Sequence, residues 1–79
     1  MNPTLDLPDQ ALASVLRQLR HDARGTQEDV AHRAGITVAA LARIERGIAN
    51  PKWTTVRRII SALNVSLADL IAAVEDAPV

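Results

Sequence analysis

Gln27-Glu28-Asp29-Val30-Ala31-His32-Arg33-Ala34-Gly35-Ile36-Thr37-Val38-Ala39-Ala40-Leu41-Ala42-Arg43-Ile44-Glu45-Arg46-Gly47 is the stretch that decides the fold. Val30, Ala31 and Ala34 recur at helical spacing, Leu41 and Ile44 do so in a second segment, and Gly35 separates the two. A glycine there suits the left-handed residue that ends a helix. Ile36 returns to the core, and Thr37 offers a side-chain oxygen to cap the next helix. Two short amphipathic helices joined by so tight a turn keep a fixed mutual angle, and the second stands out as a rigid probe.

The flanks read as three more helices and no strands. Helix 1 is expected from about Leu7 to Asp22, capped by Asp6, with Pro8 in the first turn and an apolar stripe of Leu12, Val15, Leu16 and Leu19. Thr26 caps helix 2, with Asp29 at capping-box spacing. After the loop Ile48-Ala49-Asn50-Pro51-Lys52-Trp53, Thr54 or Thr55 is expected to cap helix 4, which turns Val56, Ile59, Ile60 and Leu63 inward. Trp53, the only aromatic residue, is expected to plug the junction of helices 3 and 4. Asn64 suits a left-handed stop, and Ser66 with Asp69 opens helix 5, which carries Leu67, Leu70, Ile71 and Val74. The result is one all-α domain spanning 1–79, with an ordered core over about 7–75 and frayed ends.

At 79 residues the chain makes one small domain. It has no cysteine, which excludes disulfides and thiolate metal sites. His21 and His32 stand eleven positions apart without a paired carboxylate, so no metal is expected. Ser14, Ser61 and Ser66 have no His–Asp arrangement around them, and no constellation of acid, base and nucleophile points to an enzyme or a cofactor. Met1-Asn2-Pro3-Thr4 lacks the basic start and apolar run of a signal peptide, and no apolar stretch is long enough to span a membrane. A cytoplasmic protein is the expectation.

Net charge is zero, but its distribution is uneven. All nine basic residues lie between Arg17 and Arg58, a window with only four acidic ones (+5). The flanks carry Asp6, Asp9, Asp69, Glu75 and Asp76 (−5). A basic middle between acidic ends suits a surface that faces a polyanion. Joined to a helix-turn-helix pattern, it suits a second helix laid in the DNA major groove.

From about Leu16 to Leu70 the chain resembles the phage-repressor/Cro-type helix-turn-helix family, also called the XRE family. The residues that carry the likeness are Leu16, Leu19 and Arg20, then Thr26-Gln27-Glu28, Val30-Ala31, Ala34-Gly35-Ile36-Thr37, Leu41, Arg43-Ile44-Glu45-Arg46-Gly47 and Asn50-Pro51. Leu63-Asn64-Val65-Ser66-Leu67 and Leu70 complete it. The likeness implies a five-helix, lambda-repressor-like domain that binds a pseudo-palindromic site on double-stranded DNA as a homodimer. It places Val38, Ala39, Ala42 and Arg43 at base-reading positions. It places Thr26, Gln27, Arg46 and Lys52 at phosphate contacts, and Arg20 with Glu45 at a partly buried ion pair between helices 1 and 3. Candidate dimer residues are Ile48 and Ala49 after helix 3, with Ile71 and Val74 on helix 5.

Two departures from the family pattern stand out. Where the family usually has glycine and then an apolar residue before Thr-Gln, this chain has Arg24 and then Gly25, so the exit of helix 1 is expected to shift and to lack an apolar plug. The recognition helix is also unusually apolar. Val38, Ala39 and Ala42 offer only methyl contacts to thymine, which leaves bidentate readout to Arg43. The leading function is a DNA-binding transcriptional regulator, a repressor acting as a dimer. Two alternatives are an antitoxin that binds a toxin protein while repressing its own operon, and an interaction module that has lost DNA binding.

Overall fold

Five helices follow one another: α1 (Gln10–Asp22), α2 (Gln27–Ala34), α3 (Val38–Glu45), α4 (Trp53–Ala62) and α5 (Leu67–Asp76). The computed structural model describes residues 8–77, and no strand occurs among them. Four helices begin on a side-chain cap. Asp9, Thr26, Thr37 and Ser66 accept from the backbone N–H of Leu12, Asp29, Ala40 and Asp69, each at 3.0 Å. Each bond satisfies one of the amide groups that a helix start leaves unpaired.

The ends are equally regular. The amides of Gly25, Ile36, Ile48 and Val65 reach back five residues to the carbonyls of Arg20, Ala31, Arg43 and Ile60. This is the Schellman closure, which needs a left-handed residue just before the donor. Gly35 and Gly47 fill that place with φ of 71° and 72°, Asn64 with 59° and Arg24 with 57°.

Helix α1 packs on α5 and α3, while α2 packs on α4 and α3, so α3 bridges two helix pairs. The core is Val15, Leu16, Val30, Ala31, Ala34, Leu41, Ile44, Val56, Ile59, Ile60, Leu63 and Leu70. Each helix contributes one apolar stripe, which leaves its opposite face to solvent.

Three sequence expectations are corrected. Helix α1 starts at Gln10 on an Asp9 cap; the expected Leu7 start and Asp6 cap lie outside the described residues, as do Pro78 and Val79. At the α1 exit, Arg24 itself takes the left-handed conformation. Gly25 then packs so closely that an added Cβ would lie 3.0 Å from Val30 Cγ2. Finally, neither Thr54 nor Thr55 caps α4. The Lys52 carbonyl accepts from Val56 N–H, which makes Trp53 the first helical residue. That start points the indole outward, 56% exposed, rather than into the α3–α4 junction.

Candidate nucleic-acid interface

Buried geometry first fixes where α3 can point. Leu41, Ile44 and Glu45 face inward. Glu45 is 3% exposed, the one charged residue in the core among those described. Arg20 Nε and Nη2 donate to its two carboxylate oxygens at 2.7 and 2.8 Å. Arg20 Nη1 also donates to the Gly25 carbonyl at 3.0 Å. Burial alone would push the Glu45 carboxyl up, but the hydrogen bonds from Arg20 and Gln27 and the Arg20 charge outweigh it and hold the group below its usual range. Arg20 is raised, chiefly by its bond to Glu45. The expected ion pair is therefore present and ties the end of α3 to α1 and to the start of α2.

With that side of α3 committed to the core, the other is left outward. Val38, Ala39 and Arg43 are exposed and Ala42 is half-buried. Among the described residues, no hydrogen bond or ion pair holds the Arg43 guanidinium. Arg46 is exposed and turns back, its Nε donating to the Ala42 carbonyl at 3.4 Å.

A shallow groove of about 400 Å³ runs beside Arg43, between α3 and the start of α4. Lys52, Thr55, Asn50 and Ala49 line it with Ile36 and Ala40. Lys52 is the N-cap of α4 and makes no side-chain cap bond. Among the described residues no side chain caps the first amides of α4, and a cation sits at the positive end of the helix dipole. A helix start of this kind, with a lysine beside it, suits an anion.

The loop before Lys52 is anchored from α1. Gln10 Nε2 donates to the Gly47 carbonyl at 2.9 Å, and Asn50 Oδ1 accepts from Asp9 N–H at 2.7 Å. Neither the open α4 start nor this anchoring was read from sequence. The only local signal was the absence of a capping residue just after Pro51.

At the other end of the surface, Thr26 is exposed and caps α2. Gln27 is half-buried, and its Nε2 donates to Glu45 Oε1 at 3.2 Å. Its position is thus set by the ion pair rather than by solvent. Of the candidate dimer residues, Ile48 and Ile71 are each 51% exposed. Ala49 lines the Arg43–Lys52 groove, and Val74 packs against the core.

A family model described as "Helix-turn-helix domain" matches residues 11–74. The chain belongs to the XRE-type helix-turn-helix regulators. It is 33% identical over 67 residues to the uncharacterized HTH-type transcriptional regulator y4dJ of Sinorhizobium fredii, covering 85% of this chain and 87% of that one. It is 34% identical over 64 residues to the HTH-type transcriptional regulator DdrOP3 of Deinococcus deserti, covering 81% of this chain but only half of that protein. Among solved structures, the clp gene regulator ClgR from C. glutamicum superposes with a TM-score of 0.82 at 25% identity, covering 87% and 88% of the two chains. The restriction-modification controller protein C.Esp1396I superposes with a TM-score of 0.80 at 23% identity, over 84% and 87%, a likeness of fold. Helices α2 and α3 are this chain's helix-turn-helix pair.

Proposed function

We propose that this regulator is a repressor that binds a pseudo-palindromic operator as a symmetric homodimer in the cytoplasm. One observation carries the reading. The outward side of α3, with Arg43 unpartnered among the described residues, lies beside an open helix start crowned by Lys52, while every charge on the inward side is paired. Arg43 reaches base edges. Lys52, Arg46, Thr26 and Gln27 hold phosphates on either side of the groove. Val38, Ala39 and Ala42 fill the groove with methyl contacts.

One α3 reads few base pairs, and a second copy across a two-fold axis doubles the contacts over half-sites about one helical turn apart. Ile48 and Ile71 are the exposed apolar residues best suited to the seam, with Ala49 and Val74 at its inner edge. The name of C.Esp1396I, a controller protein, supports a role in adjusting expression.

The test is sedimentation on a duplex selected from random sequence, followed by transcription from a promoter that overlaps the selected site. Two chains per symmetric site and reduced transcription are expected. A persistent one-to-one complex overturns the dimer, and increased transcription overturns the repressor assignment.

A further inference from the structure

A second basic surface lies away from α3, along the seam between α2 and α4. On α4, Thr54, Arg57, Arg58 and Ser61 fall at i, i+3, i+4 and i+7, one stripe opposite the buried Val56, Ile59 and Ile60. Arg33 of α2 closes the stripe into a concavity of about 330 Å³ whose lining holds three guanidiniums, two hydroxyls and no carboxylate. Arg33 also lines a second concavity, of about 190 Å³, which continues the seam to the α1–α2 and α4–α5 turns. Arg24 and Asn64 stand at those two turns, and Asp29 is the one carboxylate in the lining. Together the two linings carry four arginines against one aspartate, a net charge of +3. None of the four arginines has an ion pair or a side-chain hydrogen bond among the described residues. Unpaired like charges gathered on one seam repel one another, and negative charge brought from outside relieves that repulsion.

The backbone at Arg24 is a second, independent observation. The left-handed closures after α2, α3 and α4 fall on Gly35, Gly47 and Asn64, residue types that tolerate them. The closure after α1 falls on Arg24, whose Cβ makes the same conformation costly. Glycine there would be free of that cost but would take a guanidinium away from the smaller concavity. Backbone strain gathers at ligand sites, and a binding role accounts for an arginine at this position.

We propose that this seam binds a small anionic ligand that carries several phosphate groups in a row. Along α4 the seam runs about 12 Å from Thr54 to Ala62, at 1.5 Å per helical residue, which is too long for one phosphate. Guanidiniums suit such a ligand because each presents a planar fork of N–H groups to a pair of oxyanions. Arg33, Arg57 and Arg58 hold phosphates in the larger concavity, with the Thr54 and Ser61 hydroxyls as further donors. Arg24 takes the end that reaches the smaller one, where Asp29 makes the lining less positive. The occupant is a small molecule rather than the duplex, because no α3 residue lines either concavity and the seam runs up α4 away from Lys52. The site therefore stands apart from the DNA-binding role proposed above.

The test is calorimetric titration of the full chain with inorganic tripolyphosphate in about 0.15 M salt, with sulfate at matched ionic strength as the control. Wild type is expected to hold tripolyphosphate at least about tenfold more tightly than sulfate. Arg57→Gln with Arg58→Gln is expected to weaken binding by at least about tenfold, the loss of charge-assisted hydrogen bonds. Arg57→Lys with Arg58→Lys keeps the charge and recovers little, since an ammonium lacks the fork. Arg24→Gly weakens binding too, and because it relieves backbone strain its loss cannot come from a damaged fold. Arg17→Gln removes a charge from the exposed face of α1 and leaves binding unchanged. Thermal melts check folding and give a second reading: tripolyphosphate at ten times Kd raises the wild-type Tm by about 5 °C or more.

An affinity no better than that for sulfate makes the seam a solvated face that gathers counter-ions, and the inference fails. It fails also if Arg17→Gln weakens binding as much as the Arg57 and Arg58 variants do, because the attraction is then one of net charge. Arg24→Gly that binds like wild type overturns it as well. Titration of the same variants with duplex DNA separates the two surfaces. Glutamine variants that lose duplex affinity but keep tripolyphosphate affinity make the seam a DNA phosphate contact, and the inference falls. Wild type that binds tripolyphosphate but no duplex overturns DNA binding itself and leaves the seam standing.

Discussion

Arg20 and Glu45 meet across α1 and α3 through two parallel N–H···O bonds, with Glu45 buried and Gln27 donating to the same carboxylate. The pair fixes three elements at once: the end of α3, the last turn of α1 and the entry to α2. Glu45→Gln leaves the Arg20 charge buried without its partner, a loss of about 3 kcal/mol. A domain of this length holds about 4–12 kcal/mol in all. The expected fall in Tm is more than about 10 °C. An unchanged Tm would show that the pair contributes nothing.

The same carboxylate gives the protein an acid limit. Its folded pKa lies below the unfolded value, so its stabilisation is fully present above about pH 4.3, the unfolded value. It is lost as pH falls from there through the folded pKa. Wild type should lose stability steeply below that point, and Glu45→Gln should show a flatter acid limb. Urea melts at a series of pH values measure the two slopes, and equal slopes would remove Glu45 from the account.

Arg24 holds a left-handed conformation, φ 57°, that a Cβ disfavours by about 1 kcal/mol. A Cβ on Gly25 next to it would lie 3.0 Å from Val30 Cγ2, a contact that the buried valine must yield to. Arg24→Gly should therefore stabilise, by up to about 0.6 kcal/mol after the entropy that glycine adds to the unfolded chain. Gly25→Ala should destabilise by about 1–3 kcal/mol. Chemical denaturation of the two variants gives the signs, and a reversed pair would place the left-handed residue at Gly25.

The contrast shows what the sequence could and could not reveal. Thr26, Thr37 and Ser66 were legible as caps because a hydroxyl at a helix start bonds an amide three residues on, a purely local relation. The core stripes and the outward placing of Arg43 followed from the helical period in the same way. Arg24 and Gly25 were visible as a departure, but which of them would turn left-handed depended on packing against Val30, a tertiary contact. The start of α4 was misplaced because no side chain caps it, so the threonines after it looked like the caps that were missing. Trp53 then pointed outward for the same reason. The Gln27–Glu45 bond and the Arg33–Arg57–Arg58 seam join residues from different helices, and no local spacing announces them.

Lys52 sits where the dipole of α4 disfavours a cation. Lys52→Ser should raise stability by about 1 kcal/mol through a side-chain cap. Binding should weaken on all sequences alike, and the slope of log K against log salt should flatten by roughly one unit for the lost phosphate contact. Stability and affinity would then move in opposite directions, as they do where a residue is kept for function. A sequence-selective loss with an unchanged slope would contradict the phosphate assignment.

Arg43 should carry most of the direct readout. Thr37 caps α3, so Val38 and Ala39 form its first turn. Leu41, Ile44 and Glu45 must face the core, which rotates Ala42 and Arg43 outward. Arg46, the other long polar side chain at this end of α3, folds back toward the Ala42 carbonyl. That leaves Arg43 as the one side chain of α3 able to make a bidentate contact, and guanine N7 with O6 is its natural partner, worth about 1–3 kcal/mol of discrimination. Arg43→Ala should relax preference at one base pair per half-site while non-specific affinity falls only modestly. Arg43→Lys should recover charge but little of the preference, because a single ammonium lacks the planar fork. Selection from randomised DNA reads both variants position by position. If the alanine variant keeps the wild-type preference everywhere, discrimination comes from DNA shape or from the Asn50–Lys52 loop, and the Arg43 assignment falls.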